Sequence, residues 1–115
     1  MDEDLKQEFK RLILHAFYHA QYAHNEIFSD RQNNPIIMGD ISIATSYVNA
    51  ARAVYICNEV LSRQEFDDFF NQHQFFAEEV MENIRTNHSH QWSDIHFNRL
   101  KEAYAPVASL LGVVI

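Results

Sequence analysis

The chain has 115 residues, 47% of them hydrophobic and 13% aromatic, which supplies one core for a single domain spanning residues 1–115. Two glycines and two prolines are too few for the frequent turns of an all-β protein, and a formal charge of −7 disfavours binding to duplex nucleic acid. A lone cysteine, Cys57, excludes an internal disulfide, and the start Met1-Asp2-Glu3-Asp4 lacks the basic and apolar regions of a secretory signal, so a cytoplasmic protein is expected.

The first helix is read from about Asp2 to Phe28. Its early acids suit the positive end of a helix dipole, and Leu5, Phe9, Leu12, Ala16, Ala20, Ala23 and Ile27 recur every three or four positions. The turn-rich interval from Ser29 to Asp40, centred on Asn33-Asn34-Pro35, predicts one long loop whose apolar residues Ile36, Ile37 and Met38 fold back onto the bundle. The second helix is expected after Gly39, with Asp40 as N-cap. Two apolar stripes run along it, Ile43-Tyr47-Ala50-Val54-Cys57-Leu61 and Ala44-Val48-Ala51-Tyr55, which marks it as central and makes Cys57 a small core residue.

Ser62-Arg63-Gln64-Glu65 has the spacing of a capping box and predicts a fresh start for the third helix, which runs to about Arg85. Phe66, Phe69, Phe70, His73, Phe76, Ala77, Val80 and Ile84 form its core stripe. His73, alone among apolar residues, is expected to satisfy its ring through a tyrosine or a backbone carbonyl. The fourth helix begins near Ser93 or Asp94 and holds Phe97, Leu100 and Tyr104; Pro106 removes a backbone donor and kinks or restarts it, and Gly112 stops it. The apolar end, Ala105 to Ile115, is too short to span a bilayer, so no membrane association is expected. The predicted fold is an all-α bundle of four main helices, with a long loop between the first two and a proline-kinked last helix.

Three groups of residues could carry function. On the first helix His15, His19, Tyr22 and Glu26 fall along one stripe because steps of four, three and four residues return to the same face. Two histidines so spaced could chelate a metal, but no His-Glu-x-x-His or paired Glu-x-x-His sequence completes a site, and the expectation is a protein without metal or cofactor. On the third helix Asp67, Asp68, Glu78, Glu79 and Glu82 gather on the side away from the core stripe. Such a surface would repel a polyanion and attract a protein partner with a basic surface.

The third group is Arg85-Thr86-Asn87-His88-Ser89-His90-Gln91-Trp92, at the junction between the third and fourth helices. An arginine, four residues, a histidine and an aromatic two further on resembles the Arg-x4-His-x-Tyr motif of HEPN-domain proteins, which are all-helical ribonucleases and toxins. The run Ser46-Tyr47-Val48-Asn49-Ala50-Ala51-Arg52-Ala53-Val54 resembles that family's alanine-rich, tyrosine-bearing second helix. The resemblance implies a homodimer in which Arg85 and His90 of both copies line one cleft and cut RNA without metal. There histidine would exchange the proton of a ribose hydroxyl, and arginine would stabilise charge on the phosphate. Trp92 stands where the family has tyrosine, and Thr86 where it has a stronger polar residue.

With no complete catalytic set in the sequence, the leading expectation is a non-enzymatic acidic helical interaction module. It would be a homodimer and a regulator of the inhibitor, antitoxin or immunity-protein type, engaging a basic partner through Asp67, Asp68, Glu78, Glu79 and Glu82. The alternatives are the ribonuclease just described and a helical metal-binding protein using His15 and His19.

Overall fold

The computed structural model describes residues 3–113, and among them every regular element is helical. Four helices, α1 (Glu3–Ile27), α2 (Asn34–Ile56), α3 (Gln64–Thr86) and α4 (Gln91–Leu110), form a four-helix bundle 45 Å long, with one 3-10 turn at Glu59–Leu61 before α3. The bundle consists of two hairpins, α1 against α2 and α3 against α4, which meet over a shared core; the α2–α3 and α1–α4 seams are much less extensive.

The predicted spacing produces the core. Phe9, Ala16, Ala20 and Ala23 of the α1 stripe are fully buried, as are Ile13 beside it and Ala44 and Ala51 of α2, and α1 and α2 form the most extensive helix pair of the bundle. Phe69, Phe70 and Phe76 of α3 fill the centre, each contributing about 2–3 kcal/mol through burial. Phe17 stacks on Tyr104 of α4 at 3.8 Å between ring centroids and nearly parallel planes, joining the hairpins at one level.

Helix ends depart from the expected positions for local reasons. The interval between α1 and α2 is short, because Asn33 rather than Asp40 caps α2: its side chain accepts the Ile36 N–H, and Pro35 in the first turn gives up no needed donor. Gly39 and Asp40 are therefore helical, Ile37 is buried, and Ile36 and Met38 are exposed. The capping box at Ser62 does not form. Arg63 is the N-cap and makes no side-chain cap bond; its backbone N–H instead donates to the Tyr55 hydroxyl at 3.3 Å, and its guanidinium pairs with Glu65. Asn87 ends α3 in the left-handed conformation at φ 55°, with His88 N–H donating to the Asn83 carbonyl as in a Schellman motif.

Helix α4 starts two residues earlier than expected and continues through Pro106 without restarting. The carbonyl that proline leaves without its helical donor belongs to Glu102, and both residues are exposed, so water can serve it. Gly112, at φ 72°, stops the helix as predicted, and Val113 N–H closes on the Ala108 carbonyl at 2.8 Å. Of the two stripes on α2 one is core. The other is split: Leu61 is buried and Tyr47 and Val54 pack against the core, whereas Ile43, Ala50 and Cys57 are exposed, Cys57 at the C-cap, because α1 covers one side of α2 and α3 touches only a narrow flank. Among the described residues no helix is long and apolar enough to cross a membrane.

Candidate functional site

The α3–α4 junction is held by a chain of side chains rather than by an open cleft. Asn83, buried near the end of α3, donates from Nδ2 to the Ser93 hydroxyl at 3.0 Å and lies 3.3 Å from the Glu79 carboxylate; Ser93 in turn sits 2.9 Å from Nδ1 of His90. Asn83, Ser93 and His90 are all buried, which makes each bond costly to break. His90 is the residue from which α4 starts, and burial lowers its pKa while the Glu79 carboxylate opposes the shift. Arg85 is placed differently. Its side chain is 71% exposed and forms an i,i+3 ion pair with Glu82, which holds the guanidinium above its ordinary pKa and the Glu82 carboxyl below its own. Both motif residues stand at one end of the bundle, and no hydrogen bond joins them among the described residues. Trp92 is 56% exposed beside them.

Beside Arg85 the seam between α2 and α3 opens into an apolar hollow of about 560 Å³ bordered by Met38, Met81 and Ile84. Further along the same seam a second groove, about 270 Å³, runs past Thr45, Asn49 and Arg52 of α2 and Phe70, His73 and Glu78 of α3. His73 is 2% exposed. Its Nε2 lies 3.3 Å from the Thr45 hydroxyl, not from a tyrosine or a carbonyl, and its Nδ1 has no partner. Burial pushes its pKa down to about 4, so the ring is neutral at ordinary pH.

The five acids of α3 are not equivalent. Asp67 lies 3.1 Å from the Tyr55 hydroxyl and Glu79 belongs to the junction, so both are tied inward. Glu82 is neutralised by Arg85. Asp68 and Glu78 accept only from Gln64 and Gln74 on their own helix, and keep their charge toward solvent.

The α1 histidines are absorbed by packing. His15 stacks on Tyr47 at 5.1 Å, and His19 stacks on the same ring at 5.9 Å with its Nδ1 3.1 Å from Asp40 of α2. Glu26 makes no bond with either, and among the described residues no group of three or more His, Cys, Asp or Glu is placed to hold a metal.

No protein-family model, curated protein or solved structure matches the chain.

Two residues of interest lie outside every sequence-predicted set. Phe75 is 47% exposed in the middle of α3, its ring 6.4 Å from that of His96. Its position off the core stripe, one residue before Phe76, is the only sequence signal for this. Arg52 is half-buried over Phe70, 5.5 Å from the ring centroid, and no carboxylate lies within ion-pair distance of it among the described residues. The sequence shows it only as the single base within an uncharged stretch of α2.

Proposed function

We propose that this chain is a non-enzymatic interaction module that presents an acid-rimmed aromatic anchor to a basic protein partner, as an inhibitor or antitoxin does. The observation that carries it is the setting of Phe75. Asp68, Glu78, Glu79 and Glu82 stand at −7, +3, +4 and +7 from it, so carboxylates flank a half-exposed ring along one helix face, with Asp68 and Glu78 keeping their charge toward solvent. A large apolar side chain inside a charged rim is the pattern of a binding hot spot: the ring supplies desolvation energy and the rim supplies steering. Trp92 extends the aromatic surface along α4, where it shares a stripe with His96 and Arg99 at steps of four and three.

Self-association fits a different face. Ile36, Gly39, Ile43, Ser46, Ala50, Ala53 and Cys57 follow one another at alternating steps of three and four on α2, all exposed and none charged. In a chain of net charge −7, this is the strip along which two copies can meet without opposing carboxylates.

The test is capture from native lysate with the wild-type chain, Phe75→Ser, and Glu78→Lys combined with Glu82→Lys, followed by titration of the recovered partner at two salt concentrations. A basic partner is expected, bound at least tenfold more weakly by Phe75→Ser, with weaker salt dependence in the charge-reversed variant. A partner held equally by all three proteins would refute the reading. The alternative, metal-independent RNA cleavage by Arg85 and His90, is supported by their common position at the α3–α4 junction and by exposed Arg85 beside the Met38–Met81 hollow. It requires RNA degradation in the presence of a chelator.

A further inference from the structure

The exposed residues Ile36, Gly39, Ile43, Ser46, Ala50, Ala53 and Cys57 of α2 stand at alternating steps of three and four, the spacing of a seam between two helices. The charged residues of α2 are turned off this seam: Asp40 pairs with His19 of α1, and Arg52 lies over Phe70 of α3. A basic partner finds no carboxylate to pair with along it, whereas a second copy of a chain of net charge −7 meets no like charge there. The seam is also uneven. Ile43, Ser46, Tyr47 and Ala50, at i, i+3, i+4 and i+7, border a hollow of about 350 Å³ that Leu12 of α1 closes on one side. Four helix residues so spaced form the hole that receives one knob of a facing helix. The bulky seam residues, Ile36 and Ile43, occupy the first half of α2, while Ser46, Ala50 and Ala53 leave the second half shallow.

We propose that a second copy of this chain docks on α2 in the antiparallel direction, the Ile43 side chain of each copy entering the other's hollow between Ser46, Tyr47 and Ala50. This arrangement rests on the self-association reading above, and adds to it the direction of the two helices and the residue that fills the hollow. In an antiparallel pair the two kinds of seam position face each other, so Ile43 lies against the partner's Ser46, Ile36 against the partner's Ala53, and Gly39 against the partner's Ala50. Each isoleucine then meets a small residue, and the two axes keep an even separation. A parallel pair sets Ile36 on Ile36 and Ile43 on Ile43. It offers the hollow only the side chain of Ser46, too small to fill it, and close packing is lost along the second half of the helix.

The experiment uses the full chain and its lone cysteine. Cys57 is exposed at the C-cap of α2, so a nitroxide attached there reports the separation of the two copies by pulsed dipolar spectroscopy. The layers above place the twofold axis level with the peptide between Ala44 and Thr45, and at about 1.5 Å per residue the two Cys57 positions lie roughly 38 Å apart, against about 10 Å in a parallel pair. A distance near ~40 Å is expected. Oxidant should not trap the unlabelled dimer as a disulfide, because a bridge needs Cα atoms within about 7 Å. Ala50→Leu fills the hollow from within and should weaken the dimer by roughly tenfold; Ala50 is exposed, so circular dichroism of the single chain should be unchanged. A separation below ~20 Å, efficient disulfide trapping, or a dimer indifferent to Ala50→Leu would overturn the antiparallel arrangement and leave self-association through α2 standing. A chain that stays monomeric, or a dimer that survives Ile43→Glu, would remove the self-association reading and this arrangement with it.

Discussion

His24 and Asp94 form the most direct polar link between α1 and α4: Nε2 of the histidine lies 2.8 Å from the carboxylate, while its ring stacks on Phe97 at 4.1 Å between centroids. With the Phe17–Tyr104 stack, the pair ties the hairpins together along the α1–α4 seam. Asp94 is about half exposed, which limits the ionic contribution through screening. Asp94→Ala should lower stability by about 1 kcal/mol, and His24→Ala by about 1–2 kcal/mol because it also removes the stack. A double-mutant cycle in urea should return a coupling of roughly 0.5–1 kcal/mol; additive losses would mean that the contact contributes nothing.

His73 makes stability depend on pH in a predictable direction. Its pKa falls from 6.5 in the unfolded chain to about 4 in the fold because burial penalises the charged ring. Above pH 6.5 both states are neutral there and stability is fully present. Between 6.5 and 4 the unfolded chain takes up a proton that the folded chain refuses, so stability falls as pH falls, by at most roughly 3 kcal/mol. The chain holds six other histidines, so the readout is the difference between wild type and His73→Leu. That difference should shift in favour of the variant as pH drops from 7 to 4, measured by urea midpoints, and a constant difference would contradict the assigned burial effect.

What could be read from the sequence followed from spacing. The seams of α1, α3 and α4 were legible because Phe9, Leu12, Ala16 and Ala20, or Phe66, Phe69, Phe70 and Phe76, repeat at helical intervals that only one face can satisfy, although the stripe omits the buried Ile13 and Phe17. The start of α2 was misread because Gly39-Asp40 imitates a cap, while the actual cap, Asn33 with Pro35 two residues on, looks equally like a loop. The exposed strip on α2 was unreadable for a different reason: periodicity reports which residues avoid water and not which neighbour covers them. Site geometry was less legible still. Arg85 and His90 are five residues apart in the chain, yet one ends in solvent on Glu82 and the other inside the bundle on Ser93, a divergence set by the left-handed turn at Asn87 and the start of α4. The Arg52–His73 groove joins residues from two helices, and nothing local in either segment announces it.

The uncharged α2 strip predicts a concentration-dependent dimer. Ile43→Glu places a carboxylate at its centre, opposite its own copy across a twofold axis, and should convert the protein to a monomer while leaving the fold intact, because Ile43 is 43% exposed in the single chain. Sedimentation equilibrium reads the outcome. A wild-type chain that stays monomeric at high concentration, or a dimer unaffected by Ile43→Glu, would remove this face from the proposal.

The two residues of the Arg-x4-His motif should separate in a stability assay before any activity is measured. Arg85→Ala removes only a surface pair with Glu82, so its unfolding midpoint should match wild type. Ser93→Ala removes the partner of His90 Nδ1 and one of the two acceptors of Asn83 Nδ2, leaving Glu79, and should cost about 1–3 kcal/mol. His90→Ala should fall in the same range, since Ser93 keeps Asn83 but loses its other contact. This ordering decides how a cleavage assay is read. RNA degradation in chelator that disappears in Arg85→Ala, whose fold is intact, would have to be chemical in origin and would establish the ribonuclease reading over the interaction module. Loss in His90→Ala without loss in Arg85→Ala would instead trace to the weakened junction. Equal rates in wild type and both variants would mean that the motif residues serve the α3–α4 turn alone.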